Sequence, residues 1–181
     1  MTKSTLILNI LGDKADDEFS LADFSEDRRY AYISMVSSLA WSDGSIDDRE
    51  RDILEDIAEQ LGGNISGQLE EIIDETRNFS IEVFNKWVGK ITGMKMKVSL
   101  MVDLLLTAYA DEVYMQSENF YMKYVSGKLG INYELYENIF RKVKKYIAEK
   151  KEEKLQAEAE SQKEKKIPET KNGGIIQRLF S

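Results

Sequence analysis

Residues Ala40 to Glu50, Ala-Trp-Ser-Asp-Gly-Ser-Ile-Asp-Asp-Arg-Glu, set the carboxylates Asp43, Asp47 and Glu50 around one glycine. Carboxylates so spaced can do three kinds of chemistry. They can hold a hard cation through oxygen ligands, serve as acid and base on a glycosidic bond, or accept backbone N–H groups where one helix stops and another starts. A calcium loop of the EF-hand type fails on ligand count. With Glu50 as its twelfth position, the first and third fall on Leu39 and Trp41, which carry no side-chain oxygen. No sugar cleft can be read beside the pair, so glycoside hydrolysis is set aside. The capping reading needs no ligand. Asp47 stands three residues before Glu50, the spacing of a capping box. Gly44 permits a sharp reversal, Ile46 is placed to act as a hydrophobic staple, and Asp43 can accept N–H bonds across the turn.

The stretch recurs. Ala40, Asp43, Glu50, Leu61 and Gly62 correspond to Ala108, Asp111, Glu118, Leu129 and Gly130, each 68 positions on. Trp41 corresponds to Tyr109, and Ile53, Leu54 and Ile57 to Tyr121, Met122 and Val125. A gapless register through a turn and a helix reads as a duplicated helix–turn–helix unit. If both turns lie at the same end of a bundle, Asp43, Asp47, Glu50, Asp111 and Glu118 form a candidate oxygen-ligand set for a divalent cation such as calcium or magnesium. In the second copy Met115 takes the cap position, leaving Gln116 or Ser117 to cap.

The elements that must position these residues are helical. The chain of 181 residues has one proline and 42% apolar residues, which favours an all-α fold over a turn-rich β fold. Ser25 is placed to cap a helix whose apolar face holds Tyr32, Ile33, Val36, Leu39 and Ala40. Ile53, Leu54, Ile57, Ala58 and Leu61 form the next face, stopped by Gly62-Gly63. Ser66 and Ser80 are placed to start two more helices. The spacing predicts a central helix over Met94 to Tyr114, apolar on nearly every side and the most buried of the bundle. Another helix ends at Gly130, and Asn132 caps the last, whose apolar face fades after Ile147.

Composition excludes several functions. There is no cysteine and no histidine, which removes disulfides, zinc–thiolate sites and the usual general base. Residues 1–149 carry 17 Lys and Arg against 27 Asp and Glu, and residues 150–181 carry 8 against 6. An acidic folded part repels phosphate backbones, so no nucleic-acid partner is expected. No apolar run reaches the ~20 residues of a spanning helix, and the start of the chain does not read as a secretion signal. A cytoplasmic location follows as an expectation.

On "AWSDGSIDDRE" with "ILEDIAEQLG", and on "AYADEVYMQSE" with "KLGI", the chain resembles the TerB-like domains. These are the tellurite-resistance TerB proteins and the N-terminal domain of a membrane-anchored J-domain co-chaperone. The resemblance spans about residues 26–147. Ser42 departs from the family pattern in the first copy, as do Glu112 and Tyr114, in place of glycine and isoleucine, in the second. It implies a compact helical bundle and a non-catalytic binding or scaffold role in a bacterial stress-response or envelope-associated assembly. It also implies, as the alternative, a domain responsive to divalent metal through its acidic turns.

The organisation expected is an apolar segment and acidic linker over 1–25, the helical domain over 26–147, a charged helical extension over 148–166, and a linker with a docking motif over 167–181. In that motif Ile175, Ile176, Leu179 and Phe180 share one side if helical, with Arg178 beside them and Gly173-Gly174 as a hinge. Four large apolar residues after a polar linker call for a partner. A protein groove and peripheral contact with the inner membrane both stand open.

Overall fold

The computed structural model describes residues 1–12, 20–110 and 115–164. Among these residues there are eight α-helices and no strand: α1 (Lys3–Leu11), α2 (Glu26–Ala40), α3 (Asp48–Leu61), α4 (Ile65–Thr76), α5 (Ile81–Lys90), α6 (Met94–Ala108), α7 (Gln116–Lys128) and α8 (Tyr133–Glu164). The all-α bundle expected from the periodicity is the observed fold. Short 3-10 turns occupy Leu21–Asp23 and Trp41–Asp43. Met1–Tyr146 form one compact unit, and a second begins at Ile147. Within the second unit the described residues are helical, and Leu155 is exposed.

The duplication extends beyond the stretch in which it is legible. The starts of α2, α3 and α4 (residues 26, 48 and 65) recur 68 positions on as the starts of α6, α7 and α8 (94, 116 and 133). The unit repeated is three helices, with α5 as the connector. The central helices α2 and α6 pack on one another, and α2 also packs on α3, α4 and α5.

The central helix predicted over Met94 to Tyr114 ends at Ala108, where Tyr109 and Ala110 bond back to Leu105 and Thr107 at 3.1 and 3.0 Å. It has the most buried residues, eleven of fifteen, followed by α2 with ten of fifteen, all from Ala31 to Ala40. The serines of α2 give it a misleadingly polar look. Ser34 donates to the Tyr30 carbonyl at 2.8 Å, and Ser38 to that of Met35 at 2.9 Å. A hydroxyl turned back onto its own helix can be buried without loss. Ser99 and Thr107 do the same in α6.

Local signals explain most of the ends. Val83 donates its N–H to the Ser80 hydroxyl at 3.3 Å, and Leu135 to Asn132 at 2.9 Å. Ser25 stands at the start of α2, but its hydroxyl donates to Asp27 rather than accepting from the backbone. Helix α4 begins at Ile65 after Asn64, so Ser66 lies inside its first turn. At the far end of α3, Gly63 has φ +64°, and a Cβ there would meet Arg29 at 2.7 Å. The guanidinium fills that space to donate to the Leu61 carbonyl at 2.9 Å. The equivalent residue, Lys97, donates to the equivalent carbonyl, Leu129, at 2.6 Å.

Candidate functional site

The join between α2 and α3 is built as its residue types dictate. Gly44 takes φ +98°, and Asp43 Oδ1 accepts the Ser45 N–H at 2.9 Å. Asp47 Oδ1 accepts the Glu50 N–H at 2.8 Å, while Glu50 Oε2 accepts the Asp47 N–H at 2.9 Å. The capping box is complete. Trp41 leaves the join sideways, donating its indole N–H to the Ile73 carbonyl of α4 at 2.9 Å, with Arg77 over its ring. Ile46, the expected staple, is half-buried.

At the second join, Glu118 Oε2 accepts the Met115 N–H at 2.5 Å, repeating the Glu50 contact 68 positions on. Tyr109, the counterpart of Trp41, sits against Phe140 and Lys144 of α8, with ring centroids 6.3 Å apart in the first contact. The two units meet here, since Arg49 reaches the Ala110 carbonyl at 3.4 Å.

Burial raises the Glu50 carboxyl to about 7, against the N–H bond from Asp47, and the charges of Asp47, Asp43 and Glu118 add to the rise. Burial likewise raises the Tyr109 phenol, with Tyr136 and Glu118 adding to it. Four of the five carboxylates singled out from sequence are therefore described, and three of them act on the charge of the fourth. They differ in surroundings: Asp43 and Asp47 are exposed, Glu50 is half-buried and Glu118 is buried. Asp111 lies outside the described residues, as do Ile175, Ile176, Leu179 and Phe180.

Among the described residues no three carboxylates converge closely enough to share an ion. The reason is visible in the bonding. Asp43, Asp47, Glu50 and Glu118 each turn one oxygen onto a backbone N–H. Those contacts point the carboxylates along the chain rather than at a common centre.

Two further features were not legible in the sequence. The first is a buried charge. Asp103, 1% exposed on α6, accepts from Lys3 of α1 at 2.9 Å and from the Tyr32 hydroxyl of α2 at 2.8 Å. Burial and the Asp103 charge push the Tyr32 phenol well above its ordinary value. An aspartate inside "VSLMVDLLLTAYA" signals that a partner exists, but Lys3 is 100 positions away. The second is a groove of about 660 Å³ between α2, α4 and α5. Ala31, Ile65, Ile72 and Trp87 line its apolar part, with Tyr30 beside them and Glu26, Glu71, Glu75 and Lys86 on the rim. Asp27 and Lys90 at the same rim pair with each other. The Tyr30 hydroxyl donates to Glu75, and burial, with Glu75 adding to it, lifts that phenol to about 12.

No protein-family model, curated protein or solved structure matches the chain. Among the described residues no helix is long and apolar enough to cross a membrane.

Proposed function

We propose that the chain is a non-catalytic TerB-like binding module of a bacterial stress-response or envelope-associated assembly. The groove between α2, α4 and α5 carries the reading. Its apolar lining and charged rim have the form of a surface that receives a ligand's side chains. Several polar groups that enter the interior, by contrast, are engaged in tying helices: Asp103 to Lys3 and Tyr32, Ser37 to Thr76, Ser38 to Tyr121. The module works in the cytoplasm, and residues 175–180 supply its second contact, to a protein partner or to the inner-membrane surface. Such a segment alone binds membranes weakly, because stable anchoring takes two signals.

The test is co-purification and cell fractionation of the full chain, of Glu71→Lys and of Leu179→Asp with Phe180→Asp. The reading expects each variant to lose partners or change distribution while its thermal melt stays put. If both variants match the parent chain, the binding-module reading fails.

The electrostatic coupling of Asp47, Asp43 and Glu118 to Glu50 leaves a second reading, a domain that responds to divalent cations through its acidic turns, although each of these carboxylates also binds a backbone N–H. A cation at that end would offset the charges of Asp47, Asp43 and Glu118, which add to the larger effect of burial on Glu50. Melts with calcium, magnesium and manganese test it. An ion that prefers the folded state raises the midpoint with concentration, and an unmoved midpoint rules the reading out.

A further inference from the structure

We infer that the groove between α2, α4 and α5 receives residues 175–180 of a second copy of this chain. The inference rests on the binding-module reading and names the partner. Charge is the first ground. With Asp27 and Lys90 paired, the rim presents Glu26, Glu71 and Glu75 against Lys86. Residues 165–181 carry Lys165, Lys166, Lys171 and Arg178 against Glu169. The larger parts match in the same sense, because residues 1–149 are acidic and residues 150–181 basic. Complementary charge of this kind steers a tail toward a groove and fixes its register.

Shape and polarity are the second ground. Ile175, Ile176, Leu179 and Phe180 need an apolar surface, and in the groove Trp87 is the most accessible of the apolar side chains below the charged rim, over the nearly covered Ala31, Ile65 and Ile72. Its volume lies in the range that takes a few side chains. Arg178 stands in sequence between the apolar pairs, and its charge is opposite to that of Glu71 and Glu75. The described residues 147–164 that precede this segment are helical, ~27 Å long at the usual rise per residue. A contact of tail to groove is heterologous, so it links copies head to tail and closes a ring or extends a chain.

Sedimentation of the full chain over a concentration series, at low and high salt, tests the inference. The parent chain is expected to gain mass with concentration, and less so at high salt. The groove variant Glu26→Lys with Glu71→Lys, and the tail variant Leu179→Asp with Phe180→Asp, should each associate at least about tenfold more weakly. Both alter exposed or tail positions, and an unchanged melt will show that they fold. Mixed together, the two variants keep one intact tail and one intact groove, so the mixture should form a one-to-one pair. A parent chain that stays monomeric, variants that associate as it does, or a mixture that fails to pair would each overturn the inference. If the parent is monomeric but the variants still lose partners in co-purification, the binding-module reading stands and only the self-association falls.

Discussion

The two three-helix units share a backbone plan but divide their chemistry unequally. In the first, the α2–α3 join has a full capping box, and position 35 of its central helix is methionine. In the second, Met115 replaces the aspartate cap and Asp103 stands at the position equivalent to Met35. What survives in both is the glutamate that accepts the N–H three residues before it, and the cation that closes the end of α3 or α7. The comparison teaches that the turn depends on Glu50 and Glu118, while the cap itself is replaceable. It also shows that the second unit alone took on a buried charge, which ties α1 to the bundle.

The largest effect is expected at that charge. Asp103→Ala should destabilise the fold by ~3 kcal/mol, because Lys3 and the Tyr32 hydroxyl lose a shared acceptor in a dry site. Lys3→Met with Asp103→Met, which copies the Met35 side chain into the second unit, should recover part of the loss, the rest remaining because the buried Tyr32 hydroxyl still lacks its acceptor. Urea denaturation of the single and double variants measures both, and equal losses in the two would break the contrast drawn between the units.

Next come two glycines at the ends of equivalent helices, which are not counterparts, since Gly130 matches Gly62 and Gly63 matches Ile131. Gly63→Ala puts a Cβ against Arg29 and strains a positive φ, whereas Gly130, at φ +67°, has nothing within 4 Å of its Cβ position. Gly130→Ala should cost ~1 kcal/mol from backbone strain alone, and Gly63→Ala more, with loss of the Arg29 contact to Leu61. Thermal melts of the two variants rank them.

The caps give a matched pair of smaller effects. Asp47→Ala should lose ~1 kcal/mol, and Met115→Asn should gain ~0.5 kcal/mol by restoring the acceptor that the second join lacks. A loss at Met115→Asn, seen in the same denaturation series, would mean that the two joins differ in backbone and not only in cap.

Glu50 makes stability depend on pH in an uncommon direction for a carboxylate. Its folded value of about 7 lies above the ordinary 4.5, so the folded state holds the proton more tightly. Its stabilising share is complete below about 4.5 and is lost as pH rises through 7. Glu50→Gln keeps an oxygen for the Asp47 N–H and removes the charge. At pH 8 it should stabilise the fold by ~1 kcal/mol, a figure reduced for solvent screening at a half-exposed group, with no gain at pH 4. Melts at the two pH values check the sign.

Much of this was readable in the chain. The box at Asp47 and Glu50, the turn at Gly44 and the caps at Ser80 and Asn132 follow from short-range spacing, and each holds. The register of 68 was visible only where the turn and third helix keep similar residues. It was hidden in α2 and α6 because packing there accepts serine, methionine and aspartate at matching depths. The groove and the Lys3–Asp103–Tyr32 contact join distant positions, and no periodicity encodes them. The approach of the two joins depended on which end of the bundle each turn occupies, and it is seen in the contact of α7 with the Trp41–Asp43 turn and of Arg49 with the Ala110 carbonyl.

That approach is the centre of the account, and carboxyl NMR titration of Glu50 tests it most directly. In the parent chain Glu50 should titrate near 7, raised first by burial and then by the charges of Asp47, Asp43 and Glu118, and Glu118→Gln should lower it by a small part of that rise. A value unmoved by Glu118→Gln would contradict the claim that the duplicated units bring their equivalent carboxylates together, and an ordinary value in the parent chain would contradict the burial of Glu50.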